Sequence, residues 1–538
     1  MASPFQKLFK KSHDHQTDML TPMRERTNVF LKAPCGSGKT EAVVVPWLAF
    51  RPTSRLIYAL PTGALLEATH RRITAIAEKM DIQVVRPEER VFGEKRAEKI
   101  SVVRDYHVAR ETTLLMHDVI ITTLDSLIAR LYRTRLTRKR YRDLTTGRIL
   151  NSTVVLDEAH MYDNYTQTLS KYTLHLLRET STHHVVMTAT MNDGLQKYLA
   201  INGANYQIVQ TAPQVWDSFT GSRTLTALHD CAVAEIPQII KQIVENTGVV
   251  RALIVMNTVA RAQEVAKILP KDQVLLVHSR YKPQDRKNKN HRVIEEFQTA
   301  SDGFLVATQV VEAGMDISVP LLVTEIAHGD SLVQRLGRCA RRPGENGEVH
   351  LLMPRYQKGE SRPYQRAQID QVAKSLRPRI GKAVERSEEQ TLVETVVPPQ
   401  ISDKQEARAR SIIVDAFDGL AAYAQSWSAV PTRSTIPLSM FCGDKQTLAQ
   451  GTLQDILNSS VGISSSFLRG LLMKGFQFQS LSPREWRDED RKALGNPKGK
   501  GKEVKSISDS DLEPWSVVIP VHRSSDISYD ADWGLGIK

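Results

Sequence analysis

The stretch "APCGSGKT", from Ala33 to Thr40, sets small residues ahead of a lysine and a threonine. Small side chains let backbone N–H groups turn inward after a strand, and a helix starting there adds its positive end, so the loop attracts phosphate oxygens. Gly36 and Gly38 allow backbone geometry that a Cβ opposes, and Ala33, Pro34, Cys35 and Ser37 complete the loop. Lys39 is then placed to meet the β- and γ-phosphates of ATP, and Thr40 to offer its hydroxyl to Mg²⁺. A chance glycine-rich turn is the competing reading. Against it, "NVFLKA" before the loop reads as a strand and "EAVVVPWLA" after it as a helix, the context this chemistry needs.

Farther along, "STVVLDEAHMYD" is an apolar strand ending in two carboxylates. Ligands of a parallel sheet bind outside the C-terminal ends of its strands. Asp157 there suits the Mg²⁺ shell, and Glu158 is positioned to polarise the water that attacks a γ-phosphate. Alone, an Asp-Glu pair after a strand is usually a solvated turn. The phosphate loop upstream is what points this pair toward hydrolysis.

The elements that must position these residues alternate regularly. Short β-rich runs, among them "RLIYAL", "DVIITT", "HVVMTA", "RALIVM", "GFLVAT" and "EVHLLM", are separated by helical stretches through the first 350 or so residues. That rhythm predicts parallel sheets flanked by helices. The strand series pauses near "TAPQVWDSFTGSRTLTALHD" and restarts at "TGVVRALIVM". The expected fold class is therefore α/β, two tandem parallel-sheet domains followed by a mostly helical C-terminal region. The boundaries run 1–225, 226–355, 356–490 for a helical linker and C-terminal region, and 491–538 for a basic linker and tail. Helical spacing in "DKQEARARSIIVDAFDGLAAYAQ" supports the third segment, and the Gly-, Lys- and Ser-rich "RKALGNPKGKGKEVKSISDSD" marks the flexible start of the fourth.

At 538 residues the chain exceeds what one hydrophobic core usually serves. Its formal net charge of +12 favours a polyanionic partner, nucleic acid first. The four cysteines are scattered singly, which fits neither a disulfide framework nor a zinc site and suits a reducing compartment. No apolar run reaches the roughly 18 residues needed to cross a bilayer. The start of the chain lacks the apolar block of a secretory signal, so the cytoplasm is the expected location, with no membrane partner.

In order, "APCGSGKT", "LDEAH", "MTAT", "VATQVVEAGMDIS" and "QRLGRCARR" resemble the motifs of superfamily-two DEAH/DEAD-box helicases, over about residues 16 to 345. The resemblance implies that the two α/β domains are RecA-like P-loop domains, that Gln16 reads adenine and that Thr188 to Thr190 couple hydrolysis to strand movement. It further implies that Arg338 and Arg341 reach across the cleft as arginine fingers, with Gln334 and Arg335 supporting them and Gly314 and Asp316 in the same cleft. Such motors must also grip a strand. The resembled helicases do so just after apolar strands, which points to Thr62, Thr123, Asn257, Thr258 and Thr308 as nucleic-acid contacts; for any one threonine a helix cap is an equal reading. The basic, tyrosine-bearing run "YRTRLTRKRYRD" could line a channel, though such runs are more often solvated faces.

Two further stretches, "LLVHSRYKPQDRK" and the closing "YDADWGLGI", are similar to the CRISPR-associated helicase family of type I interference systems. Members of that family usually carry an HD-type phosphohydrolase domain ahead of the helicase. Only about thirty residues precede the phosphate loop here, and "HDH" at His13 to His15 is too compact for a two-metal cage. The resemblance thus implies an ATP- and Mg²⁺-dependent translocase on single-stranded DNA, moving 3′ to 5′. It implies recruitment by a Cascade-like CRISPR effector complex, with an HD-type nuclease on a separate chain. A DEAH-type RNA helicase and a nucleotide-gated binding scaffold are the alternatives.

Overall fold

The computed structural model describes residues 3–393 except short stretches, the longest being 87–97, 106–114 and 133–141. Beyond them it describes parts of 402–410, and 437–443, 453–481, 502–503, 517–522 and 526–537.

Eight strands form the first sheet: β1 (Val29–Lys32), β2 (Leu56–Leu60), β3 (Gln83–Val85), β4 (Lys99–Arg104), β5 (Val119–Thr123), β6 (Thr153–Asp157), β7 (His184–Thr188) and β8 (Gln207–Gln210). They lie in the order β3-β4-β5-β2-β6-β7-β1-β8, and neighbours run parallel. Successive side chains of a strand face opposite sides. Val29, Leu31, Leu56 and Tyr58 accordingly enter one core, while Phe30, Ile57 and Ala59 enter the other. Such two-sided burial explains why these strands read as unbroken apolar runs. Register brings the ends of β1, β6 and β7 to one edge: Lys32 pairs with Thr188, and Asp157 with Met187.

The second sheet contains β9 (Ser222–Cys231), β10 (Arg251–Val255), β11 (Val274–Val277), β12 (Gly303–Ala307), β13 (Leu321–Glu325), β14 (Asn346–Pro354) and β15 (Lys382–Ala383), in the order β11-β12-β10-β13-β14-β9-β15. All pairs are parallel except β15 on β9. Leu253 and Val255 face one core, Ala252 and Ile254 the other. After this sheet the chain returns to touch both units. Glu389 pairs with Arg223, the Val393 carbonyl accepts from Asn192, and Glu406 binds Lys171 and Tyr172.

The C-terminal region contributes the helices Arg366–Leu376, Leu453–Asn458 and Ser465–Met473. To the helix expected there it adds a sheet that the sequence reading did not contain. Strands β16 (Pro437–Phe441), β17 (Ser460–Ser464), β18 (Gln477–Leu481), β19 (Lys502–Glu503) and β20 (Val517–His522) lie in the order β17-β16-β20-β18-β19. These strands are short and of mixed direction, so none leaves a long apolar signature. A final hairpin of β21 (Ile527–Asp530) and β22 (Gly534–Ile537) packs on "HSRYK": Gln263 and His278 donate to the Trp533 carbonyl at 2.7 and 2.9 Å, and Tyr281 to that of Asp532 at 2.8 Å. Gly534 has φ +77°, and a Cβ there would lie 2.4 Å from the His278 ring. Among the described residues no helix is long and apolar enough to cross a membrane.

Candidate active site

The phosphate loop leaves β1 at Lys32 and enters the Lys39–Phe50 helix. Gly36 and Gly38 both adopt φ +82°, a region other residues rarely occupy. Space constrains Gly38 as well, since a Cβ would sit 2.4 Å from Nε2 of Gln16. Lys39 is buried, and its Nζ donates to the carbonyls of Ala33 and Pro34 at 3.1 and 3.3 Å. Ser37 ties the turn by donating to the Pro34 carbonyl at 2.8 Å. The loop thus has the glycine conformations, the helix N-terminus and the lysine that a phosphate group requires.

Two residues ahead of β1 brace this loop. The Gln16 amide accepts from the His13 N–H at 3.0 Å and donates to the Gly38 carbonyl at 3.3 Å. Its side-chain amide is therefore engaged with the loop itself. His15 is fully buried between the Ser37 carbonyl, 3.1 Å from Nε2, and the Thr211 hydroxyl, 3.0 Å from Nδ1. A carbonyl only accepts, so Nε2 bears the proton. Burial lowers the His15 pKa to about 4, with His13 and Lys39 adding to the effect, and the ring stays neutral.

Asp157 and Glu158 follow β6 at the same edge. Tyr58 of β2 donates to Asp157 at 2.8 Å and lies 3.5 Å from the Thr40 hydroxyl, so one phenol spans both oxygens expected to hold Mg²⁺. Burial raises the Asp157 carboxyl well above the usual carboxylate range; Glu158 adds to the rise and Lys39 opposes it. Such a desolvated carboxylate beside a hydroxyl is a hard-oxygen donor set that fits Mg²⁺. Glu158 takes a left-handed backbone, φ 49°, and its N–H donates to Asp157 at 2.8 Å.

The second unit supplies the opposite wall. Arg341 lies with its Nη2 3.9 Å from where a Gly36 Cβ would be, and pairs with Asp316 at 2.8 Å. The residue before it, Ala340, has φ 43°. Arg338 behaves otherwise. It is buried, donating to the carbonyls of Val311 and Glu312 at 2.9 and 2.7 Å, so in this conformation it turns into its own unit rather than across the cleft. A desolvated guanidinium needs its donors satisfied, and these carbonyls supply the acceptors. Arg335 is fully buried on Glu312 at 2.8 Å, and Gln334 is buried on the same helix, Gly329–Leu336.

Of the expected strand contacts, Thr123 and Thr258 are helix N-caps, each accepting at 3.3 Å from the N–H three residues on, Ser126 and Arg261. Asn257 is buried, its amide donating to the Ile326 carbonyl at 2.8 Å, and Thr308 is buried too. Thr62 is partly exposed after β2. Cys35, Gly314, Thr190 and most of the run beginning at Tyr132 lie outside the described residues.

The DEAD/DEAH box helicase family matches residues 13–198, and the family described as CRISPR-associated nuclease/helicase Cas3, C-terminal, matches residues 249–344. The chain carries a DEAD/DEAH-box helicase domain followed by a Cas3-like C-terminal helicase unit. A putative CRISPR-associated nuclease/helicase Cas3 of Methanocaldococcus jannaschii is 28% identical over 350 residues, covering 60% of this chain and 46% of that one. The crystal structure of T. fusca Cas3 with AMPPNP superposes with a TM-score of 0.63 at 21% identity, over 86% of this chain and 65% of that one. A chain from a CRISPR RNA-guided surveillance complex, pre-nicking, gives 0.59 at 18% identity, over 98% and 70%. At these identities the two structures show a shared fold. The chain spans about half the length of the curated relatives it matches.

Three participants escaped the sequence reading. Tyr58 lies within the strand run "RLIYAL", with no motif to mark it. His15 was weighed as a metal ligand, whereas its partners are a loop carbonyl and a hydroxyl. Glu325 had no motif to mark it, yet it is buried and its carboxylate accepts hydrogen bonds from three residues.

Proposed function

We propose that the chain is an ATP-dependent translocase on single-stranded DNA, moving 3′ to 5′ in the cytoplasm as the motor of a type I CRISPR interference system. The observation that carries the reading is Arg341 of the Cas3-like unit, set beside Gly36 of the phosphate loop. A site completed by two units ties its chemistry to their relative position. Bound Mg²⁺ would neutralise charge on the β- and γ-phosphates of ATP. Thr40 and Asp157 would hold that ion, and Lys39 would exchange the loop carbonyls for the phosphates. Glu158 orients the attacking water, and Arg341 leaves Asp316 to meet charge developing in the transition state. Turns after strands in both units, bearing Thr62, Thr123, Thr258 and Thr308, hold the strand.

Among the described residues no group of three His, Cys, Asp or Glu could hold a metal ion. We assign cleavage to an HD-type nuclease on a separate chain and recruitment to a Cascade-like effector complex. The similarity to a chain of a CRISPR RNA-guided surveillance complex supports the latter. ATP hydrolysis measured with single-stranded DNA, with RNA and without polymer tests the central reading. DNA should stimulate most. Stimulation by RNA alone would make the protein an RNA helicase, and equal rates in all three would remove the motor.

A further inference from the structure

Glu325, the last residue of β13, belongs to none of the quoted helicase motifs, is fully buried, and binds the turn and helix at 257–261, Tyr356, and Arg335 of "QRLGRCARR". Its Oε2 accepts from the Asn257 N–H at 2.6 Å and from Arg261 Nε at 3.0 Å, in the turn and helix that carry the Thr258 strand contact. Oε1 accepts from the Tyr356 hydroxyl at 3.0 Å. The Glu325 carbonyl accepts from Arg335 at 2.9 Å, and Arg335 holds Glu312, whose own carbonyl accepts from Arg338. Gln309 closes the figure by donating to the Asn257 carbonyl at 3.1 Å.

Such a cluster links the strand-facing turn to the helix leading to Arg341 through side chains that have little freedom to relax separately. A buried carboxylate receiving several donors, one of them charged, holds its partners in one arrangement, because losing a partner leaves a desolvated group unmatched. The 257–258 turn and the arginine-bearing helix therefore share one anchor. We propose that Glu325 is the positioning residue through which strand binding at the 257–258 turn sets the arginine row of the ATP cleft. It touches neither ATP nor polymer. Its role lies in coupling, and the inference rests on the strand-stimulated ATPase proposed above.

The experiment measures ATP hydrolysis of the full chain, wild type against Glu325→Gln and Tyr356→Phe, with and without saturating single-stranded DNA, together with the ATP KM and the melting temperature. Coupling between sites is commonly worth about 5–150-fold, so Glu325→Gln should cut the DNA stimulation factor at least about fivefold, with the KM for ATP moving far less. Tyr356→Phe removes one hydrogen bond and leaves the charge; it should cut the factor in the same sense by less, and it guards against a Gln variant that does not fold. Basal and stimulated rates falling in equal proportion in Tyr356→Phe, or an undiminished factor in a folded Glu325→Gln, would overturn the inference while leaving the motor intact. A wild type that no polymer stimulates would remove the motor reading itself, and the coupling with it.

Discussion

The two α/β units hold most of their buried polar groups by different means. In the first, Lys39, Ser37 and Gln16 are secured on backbone carbonyls of the phosphate loop, through bonds a ligand can replace one for one. In the second, Arg335, Arg261 and Arg223 are buried ion pairs on Glu312, Glu325 and Glu389. Breaking such a pair strands a desolvated charge, at a cost of about 3–5 kcal/mol. The phosphate loop's bonds suit an exchange of partners, whereas these pairs keep shape, as the buried Arg130–Asp105 pair does in the first unit, and Arg341, partly exposed on Asp316, is a member of the second unit that can be released.

The comparison breaks most visibly in the first half. Lys39→Ala and Glu158→Gln should each abolish ATP turnover with melting temperature nearly unchanged, the former by losing phosphate contact. The latter should stall after binding and retain nucleotide and single-stranded DNA on a filter. Hydrolysis by Glu158→Gln near the wild-type rate would remove that residue from the role of orienting water.

Next come the two arginines. Arg341→Ala should lower kcat by about 10³-fold or more with a much smaller change in nucleotide affinity, since a finger acts on charge present in the transition state. Arg338→Ala should act chiefly through stability, lowering the melting temperature because the carbonyls of Val311 and Glu312 lose their donor. Equal kinetic losses without a stability difference would show that Arg338 swings out when nucleotide binds, and the contrast between flexible and fixed arginines would go with it.

Acid gives the smallest effect, and it should reach both halves. Burial lowers His183 and His184 in the first, and His328 in the second, to about 4. Because these folded-state values lie below the ordinary value of about 6.5, the unfolded chain takes up protons first as pH falls. The stability these neutral rings contribute is therefore complete above about pH 6.5 and lost progressively toward pH 4. Melting temperatures read from pH 7.5 to 4.5 should fall across that window, and a flat profile would show that the rings protonate without opening the fold.

How legible all this was in the sequence depended on sequence distance. The phosphate loop announced itself because Gly36 and Gly38 are required by backbone conformation, a local demand that leaves a local pattern. Both sheets were legible for a similar reason, since strands buried on two faces must be apolar throughout. Arg338 and Arg341 read alike because each follows the same helix; only packing separates them, through carbonyls 26 and 27 positions away for Arg338. Tyr58 meets Asp157 across 99 positions, and Asn257 meets Glu325 across 68. No periodicity encodes such meetings. The C-terminal sheet was missed because short strands of mixed direction produce neither an alternating nor a continuous apolar signal.

The hairpin on "HSRYK" also bears on how the protein folds. His278 and Trp533 are 255 positions apart, and Gln263 and Leu535 are 272 apart. Contacts of such separation must bear the closure entropy of the whole intervening chain before they return any stabilisation, and they form slowly. The second sheet, assembled from strands much nearer one another, can therefore be complete while its "HSRYK" edge still waits for the tail. Refolding should show a late phase in which this edge loses its exposure to solvent exchange after the sheet interior is already protected.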